Sequence, residues 1–216
     1  MSHYKEFQKN FQKSVLSAKR FIEEIEVIAV SKRKTTLDIL TVLQEGHLSF
    51  GENQLQELTK KWPELKLQYP NTKLHFVGSA QSKKIVDIVN HCDVIHSLDR
   101  EKLVDIISKL DKSLIAKKTF FVQVNTGNET QKSGVDLSIA EDFIQFCRQY
   151  GINISGLMCL PPENEQPHKH FQILQSLAKN NHIASLSMGM TNDYDIAIKY
   201  GSTHIRIGTA IFGKRI

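Results

Sequence analysis

The sequence predicts an α/β fold, a single TIM-like (β/α)8 barrel with an extra N-terminal helix, and one domain over residues 1–216. Eight short apolar runs rich in β-branched residues recur along the chain, and each is followed by a helix-like stretch. No linker or low-complexity segment interrupts the alternation. Such alternation indicates parallel strands joined by right-handed crossovers. Eight units favour a closed barrel, although an open doubly wound sheet is the alternative.

The first half of the chain opens with a helix expected over about residues 4–24. The first strand, IEVIAVSK, is rich in β-branched residues and ends in polar ones. The following helix, TTLDILTVLQEG, has Thr35 or Thr36 as its N-cap and Gly46 beyond its end. The next strands are HLSFGEN, KLHFVG and DVIHSL, and their helices are the segment through Leu55, Leu58 and Trp62, QSKKIVDIVNH, and REKLVDIISKL.

The second half repeats the same pattern four times. The predicted strands are KTFFVQVNTG, INISGLMCL, IASLSMG and THIRIG. The first three precede the predicted helices SIAEDFIQFCRQYG, HKHFQILQSLAKN and DYDIAIKYG, and TAIFGKRI closes the chain.

Composition argues against membrane and nucleic-acid functions. Hydrophobic residues make up 40% and charged residues 24% of the chain, and no run approaches the roughly 18 apolar residues of a membrane span. The net charge is +5, but the basic residues are scattered, without an arginine-rich arm. Because the N-terminus also lacks the apolar segment of a secretory signal, we expect a cytoplasmic protein.

The three cysteines, Cys92, Cys147 and Cys159, are far apart and odd in number. They form neither a disulfide framework nor a zinc-binding pattern, which is typical of a reducing compartment. We expect buried thiols without a chemical role, and we expect no metal site.

Residues that carry chemistry in βα barrels lie at the C-terminal ends of the strands. In this sequence the predicted strand ends are Ser31-Lys32, Phe50–Asn53, His75–Gly78, Asn125–Gly127, Met158–Pro161, Ser187–Met190 and Arg206–Thr209.

Lys32 ends an otherwise apolar strand, in alternation with Ile28 and Val30. A lysine held at a barrel mouth loses hydration, so its pKa falls and its neutral amine becomes a nucleophile toward aldehydes. The alternative is that Lys32 starts a basic turn, SKRK, and faces water.

The loops after the last two strands predict a phosphate site. Ser187-Met188-Gly189-Met190-Thr191 follows the seventh strand, and Gly208-Thr209 follows the eighth. Loops at these two positions commonly bind phosphate in βα barrels through backbone N–H groups, and glycines allow close approach. Hydroxyl groups of Ser187 and Thr209 add donors. The alternative is that both glycines are ordinary turn residues.

Arg206 lies inside the eighth predicted strand, between Ile205 and Ile207. A guanidinium at such a position needs a partner or a polar cavity. The alternatives are a structural salt bridge and a role in a ligand site.

An ordered set of motifs resembles the pyridoxal phosphate homeostasis protein family. The resemblance runs from about residue 27 to the C-terminus, and the order of the motifs is more specific than any one of them. The motifs are AVSK (29–32), FGEN (50–53), HFVG (75–78), QSKK (81–84), KSG (132–134), GLMC (156–159), SMGM (187–190) and GSTHIRIGTAIFG (201–213).

The resemblance implies a barrel similar to the N-terminal domain of alanine racemases, without their second β domain. It places pyridoxal 5′-phosphate (PLP) as a Schiff base on Lys32, with Arg206 facing the pyridine nitrogen. It further implies phosphate contacts from Ser187, Gly208 and Thr209, cofactor-lining positions for Asn53 and His75, and a position for Met188 beside the phosphate loop.

The sequence departs from the family pattern at two places. VGSAQSKK stands where the family usually has IGPLQSNK, which affects the loop near the cofactor mouth. Thr191 replaces a serine after SMGM and keeps the hydroxyl. Neither change touches Lys32.

The expected function is binding rather than catalysis. Catalysis at an amino-acid α-carbon needs an anchored cofactor, tuned electron demand and a placed base. An arginine opposite the ring nitrogen disfavours its protonation, and none of the five tyrosines lies at a predicted strand end. We also expect no second domain of the racemase type after Ile216.

We therefore expect a monomeric PLP-binding homeostasis protein without catalytic residues. It would store PLP or deliver it to PLP-dependent apoenzymes, with an indirect effect on amino-acid pools. The alternatives are a small PLP-dependent amino-acid racemase or lyase, and an interaction module without cofactor.

Overall fold

The computed structural model describes residues 2–129, 131 and 133–213. Within them the chain forms nine strands, and eight of these close into a parallel barrel. The strands are β1 (Glu26–Val30), β2 (Ser49–Glu52), β3 (Lys73–Phe76), β4 (Val94–Leu98), β5 (Thr119–Asn125), β6 (Val135–Asp136), β7 (Ile154–Cys159), β8 (Ser185–Ser187) and β9 (His204–Ile207).

Helices surround the barrel and connect its strands. They are α1 (His3–Ser17), α2 (Thr36–Gln44), α3 (Leu55–Gln68), α4 (Ile85–His91), α5 (Glu101–Ser108), α6 (Lys112–Ile115), α7 (Ala140–Gln149), α8 (Pro167–Asn180), α9 (Tyr194–Lys199) and α10 (Thr209–Phe212). Short 3-10 helices span Ile22–Glu24 and Leu137–Ile139. No helix in the described part of the chain is long and apolar enough to cross a membrane.

The ring of strands runs β1-β2-β3-β4-β5-β7-β8-β9 and returns to β1. The predicted closed barrel is thus confirmed, and the open sheet is not formed. Strand β6 is an addition of two residues that pairs only with the C-terminal end of β5. All pairings are parallel, so all C-terminal strand ends meet at one face of the barrel.

The N-terminal helix exists but is shorter than expected, because α1 ends at Ser17 and not near residue 24. Lys19 adopts a left-handed backbone (φ 55°), which an α-helix cannot accommodate. Tyr4, Phe7, Phe11 and Val15 form its buried face.

The predicted start of α2 is confirmed with Thr35 as the N-cap. The Thr35 hydroxyl accepts a hydrogen bond from Asp38 N (3.2 Å), and the Asp38 carboxylate accepts one from Thr35 N (2.8 Å). This reciprocal arrangement is a capping box. Gly46, beyond the helix end, has φ 90°.

The hydrophobic core lies mainly between the strands and the helices. Its largest buried side chains include Trp62, Phe50, Phe76, Phe120 and Phe171. Val94, Phe121 and Met158 form a small, separate apolar cluster, and the partly buried Leu160 packs against it. The strands also carry buried polar side chains, including His75, His96, Gln123, Ser187 and Arg206.

Candidate functional site

Lys32 lies in the turn that follows β1, two residues beyond the end of the strand at Val30, and is partly buried. The turn includes Arg33 in a left-handed conformation (φ 60°). The Lys34 ammonium donates to the carbonyl oxygens of Phe212 (3.1 Å) and Gly213 (3.3 Å). The segment that carries Lys32 is therefore tied to the end of α10.

The Lys32 turn and the Gly208–Thr209 segment are neighbours. Strands β1 and β9 pair with Ala29 opposite Ile207, so the residues after each strand emerge side by side. A Cβ placed on Gly208 would lie 3.5 Å from the Val30 carbonyl oxygen. Thr209 is exposed and begins α10, where the first N–H groups have no partner within the helix.

Arg206 and Ser187 form a buried pair below this face. Arg206 Nη1 donates to Ser187 Oγ (2.7 Å), and Nη2 donates to the Cys159 carbonyl oxygen (2.9 Å). Burial lowers the pKa of Arg206, while the nearby Cys159 and Asp193 oppose that shift. Among the described residues no carboxylate oxygen lies within 4.0 Å of the guanidinium, so the alternative of a salt bridge is not realised.

The loop after β8 is shaped by a glycine. Gly189 has φ 97°, and an added Cβ would lie 2.6 Å from the Ala197 Cβ. The Gly189 carbonyl accepts a hydrogen bond from Arg206 N (2.9 Å). The Met188 side chain is buried in the outer core. Its backbone N–H donates to the His204 carbonyl (3.1 Å), and its carbonyl accepts from the Ser202 hydroxyl (2.7 Å).

Asn53 follows β2 and is half-buried. Its Oδ1 atom is buried and has no hydrogen-bond partner among the described residues. It lines a cavity of about 280 Å³ with Ser79, Gln81 and Lys84. A buried acceptor without a donor suits a ligand site. None of the other predicted site residues, all of them in the described part of the chain, lines this cavity.

His75 faces the opposite half of the barrel. Its ring is fully buried; Nε2 lies 3.0 Å from Glu26 Oε1, and Nδ1 lies 2.9 Å from His96 Nε2. Glu26 begins β1, so these bonds direct the ring toward the N-terminal layer of the barrel. The structure gives His75 no hydrogen bond to the other predicted site residues that it describes.

This N-terminal layer contains a polar cluster that the strand-end argument missed. Glu26 Oε2 contacts His204 Nε2 (3.2 Å) and Lys73 Nζ (2.8 Å). Burial alone would raise the pKa of Glu26, but the hydrogen bonds from His204, His75 and Lys73 lower it far below its usual range. Burial lowers the pKa of His75 more than Glu26 raises it, and burial also lowers that of His96.

The tautomers in the cluster follow from these charges. The ionised Glu26 only accepts, so His75 Nε2 carries the proton and its Nδ1 is an acceptor. His96 must then donate from Nε2, which leaves its Nδ1 as an acceptor. That Nδ1 atom is buried and has no partner in the described residues.

The cysteines are buried as predicted. Burial raises the pKa of Cys147 and of Cys159 to about 12. Residues 2–129, 131 and 133–213 contain no group of three His, Cys, Asp or Glu side chains placed to hold a metal ion.

The residues at the C-terminal face fit a phosphorylated aldehyde such as PLP. Lys32 carries an amine beside the Gly208–Thr209 segment, and Gly189, Gly208 and Thr209 carry backbone N–H groups in two adjacent loops. The first of these matches the aldehyde and the second matches the phosphate.

The fold and this site define a βα-barrel protein of the alanine racemase N-terminal domain class. Residues 5–215 match the family described as "Alanine racemase, N-terminal domain". An alanine racemase structure from Clostridium difficile 630 aligns with a TM-score of 0.69 at 12% identity, over 94% of this chain and 56% of the racemase. That likeness concerns the fold alone.

More similar proteins narrow the class. The "Pyridoxal phosphate homeostasis protein" of Vibrio alginolyticus is 36% identical over 204 residues, covering 89% of this chain and 88% of its own. The structure of PipY from Synechococcus elongatus with PLP bound has a TM-score of 0.76 and 26% identity, over 93% of this chain and 99% of PipY. The chain therefore belongs to the pyridoxal phosphate homeostasis protein family.

Proposed function

We propose that this protein binds PLP covalently at Lys32 and takes part in its intracellular homeostasis by storing or delivering it. The observation that carries the proposal is that the Lys32 turn and the Gly208–Thr209 segment follow two paired neighbouring strands at the same face of the barrel. The name of the Vibrio relative and the PLP bound to PipY support the choice of cofactor.

When bound, PLP supplies an aldehyde and an electron-withdrawing ring. We propose that Lys32 is the covalent attachment site and that Ser187, Gly208 and Thr209 hold the phosphate. Met188 would lie beside the phosphate loop, with its side chain in the core. Arg206 would face the ring nitrogen, held in place by its bond to Ser187.

Asn53 and His75 complete the proposed set. The Asn53 amide would line the cofactor with its unpartnered oxygen. The ring of His75 is bonded to Glu26 and His96, so we propose that it supports the cofactor cavity from below.

We further propose that the protein is not an enzyme. An arginine at the ring nitrogen disfavours the protonated pyridine that serves as an electron sink. Tyr194, which follows the β8 loop, turns its ring toward Phe7 on α1, with ring centroids 5.6 Å apart, and so faces the outer helix layer. The second candidate is a small PLP-dependent amino-acid racemase or lyase, which the alanine racemase fold favours.

The remaining parts of the proposal concern context. We propose one PLP-binding domain over residues 1–216 and a monomer. The three buried free cysteines support a cytoplasmic location. PLP-dependent apoenzymes are the proposed recipients of the cofactor.

Absorption spectroscopy tests the proposal. The purified protein incubated with PLP should become yellow and remain so after desalting, and Lys32→Ala should be colourless. Lys60→Ala is the matched control, since Lys60 is exposed on α3. A wild-type protein that stays colourless would overturn the proposal.

A second assay separates binding from catalysis. The PLP-loaded protein is incubated with single L-amino acids, and the D-enantiomer and the decarboxylated product are measured. We expect neither at enzyme-like rates, whereas steady turnover would establish the racemase or lyase.

A further inference from the structure

We propose that Lys61 and Glu52 are positioning residues that hold the Lys32 amine in its reactive place. The side chains of Lys61 and Glu52 form no hydrogen bond to a described residue that we propose to bind PLP. Both act on the turn that carries Lys32, and the inference rests on the proposed covalent role of that lysine.

Lys61 binds the backbone on both sides of Lys32. Its Nζ donates to the carbonyl oxygen of Ser31 (3.0 Å), which precedes Lys32, and lies 3.4 Å from that of Lys34, which follows it. The Lys61 side chain is only 8% exposed, although it belongs to a helix on the outside of the barrel. The buried ammonium therefore lies against the turn that carries Lys32.

Glu52 binds the same turn from the end of β2. Its Oε1 atom lies 2.6 Å from Lys61 Nζ and accepts a hydrogen bond from Ser31 Oγ (2.8 Å). Trp62 Nε1 donates to the same oxygen (3.2 Å). Glu52 is fully buried, so its charge depends on Lys61 for compensation.

A third contact fixes the backbone next to Lys32. Glu57 Oε2 accepts hydrogen bonds from Arg33 N (2.6 Å) and from Lys61 Nζ (2.9 Å). Arg33 has φ 60°, a conformation that costs energy in a residue with a side chain. One helix, α3, therefore holds the backbone of residues 31, 33 and 34.

A buried ion pair is weak evidence for a stabilising role. Removing two charges from water costs about as much as their attraction returns, and apolar residues of similar size often serve stability as well. Positioning explains why polar groups occupy these places, because apolar residues cannot supply the donors and acceptors that the turn uses.

Position matters for the proposed bond. The neutral Lys32 amine loses two protons, its nitrogen forms a double bond to the aldehyde carbon, and the aldehyde oxygen leaves with those protons as water. The rate depends on the amine approaching that carbon in the correct geometry, and a displacement of about 1 Å can cost about a hundredfold.

The test uses a pair of substitutions that leaves no unpaired buried charge. Glu52→Gln/Lys61→Met should fold, as judged by thermal unfolding, and should attach PLP at least about tenfold more slowly than wild type. Binding of pyridoxine 5′-phosphate, which has no aldehyde, should stay within about twofold. A purely structural role would impair both measurements together.

Two single substitutions provide an independent test and a control. Glu57→Ala removes the acceptor of the Arg33 N–H and of Lys61 Nζ at a partly exposed position, and it should slow attachment by a smaller factor, about threefold. Lys60→Met, which neutralises the exposed neighbouring lysine, should behave like wild type. We call the contacts of Glu52, Glu57 and Lys61 with residues 31–34 the clamp, and Glu52→Gln/Lys61→Met and Glu57→Ala the clamp variants. If both clamp variants fold and attach PLP at the wild-type rate, the inference is overturned.

A measurement without cofactor separates this inference from the proposed function. Acetic anhydride labels lysine amines, and mass spectrometry quantifies the labelling of Lys32 in the PLP-free protein. The fraction of Lys32 that is acetylated should differ from that of wild type in the clamp variants and should equal that of wild type in Lys60→Met. A wild type that never attaches PLP overturns the proposed function alone, whereas unchanged Lys32 labelling contradicts the clamp.

Discussion

Arg206 donates a 2.7 Å hydrogen bond to Ser187 Oγ inside the barrel, and Ser187 is completely buried. The bond joins β9 to the end of β8, directly below the two loops proposed to bind phosphate. The bond therefore connects the residue proposed to face the PLP ring, Arg206, with a residue proposed to hold the PLP phosphate, Ser187.

Ser187→Ala should lower both stability and cofactor retention. The variant leaves Nη1 of a buried guanidinium without its acceptor, which costs about 1.5–3 kcal/mol for a bond to a charged group. Chemical denaturation of the PLP-free protein measures the loss. Ser185→Ala, on the same strand, is the control and should change the free energy of unfolding by less than about 0.5 kcal/mol. Equal effects of the two variants would contradict the assigned importance of the bond.

Gly189→Ala should distort the loop after β8. The added Cβ would lie 2.6 Å from Ala197 Cβ and 3.0 Å from Tyr194 Cα, and the backbone has φ 97°. We expect a loss of about 2–4 kcal/mol in unfolding free energy, from strain and overpacking together, with weaker PLP binding. Gly151→Ala is the control, because Gly151 has φ 75° and nothing within 4 Å of an added Cβ. It should lose only about 1 kcal/mol and keep PLP binding.

The histidine cluster predicts that the protein loses stability in mild acid. Burial lowers the pKa values of His75 and His96 in the folded state below the ordinary 6.5. The unfolded chain therefore binds more protons than the folded one below about pH 6.5, so the free energy of unfolding falls as the pH falls. Each neutral imidazole contributes up to about 1.4 kcal/mol per pH unit. Glu26, with its lowered pKa, adds a further loss below about pH 4.5.

Thermal unfolding between pH 7.5 and 5 measures this dependence. His96→Gln keeps a donor toward His75 Nδ1 but cannot titrate, so its melting temperature should vary less with pH than that of wild type. His182→Asn is the control, since His182 is exposed and its left-handed backbone suits asparagine. A wild-type melting temperature independent of pH would contradict the neutral state of the buried imidazoles.

The sequence predicted the barrel because its signals are local. Each strand is a short β-branched run with a helix after it, and Thr35 caps α2 through atoms only three residues apart. The predicted end of α1 was wrong because the left-handed conformation of Lys19 has no distinctive sequence signal. Strand β6 is only two residues long and depends on pairing with β5, which no local pattern reveals.

In the candidate site, too, the local features were predicted from the sequence and the features that depend on tertiary packing were not. Lys32 and the loops at 187–190 and 208–209 follow from their positions at strand ends. The clamp depends on Lys61, an ordinary lysine of an amphipathic helix whose burial appears only when α3 packs over the β1 turn. The orientation of His75 depends on Glu26, 49 residues away in sequence. A glutamate at the start of an apolar strand was the one signal that could have indicated a polar layer.

The covalent role of Lys32 is the central claim, and locating the modified lysine tests it most directly. The PLP-treated protein is reduced with borohydride, which fixes the cofactor to its lysine, and the digested peptides are analysed by mass spectrometry. We expect the phosphopyridoxyl group on Lys32 in near-stoichiometric amount. Modification spread over exposed lysines, with Lys32 unmodified, would contradict the account.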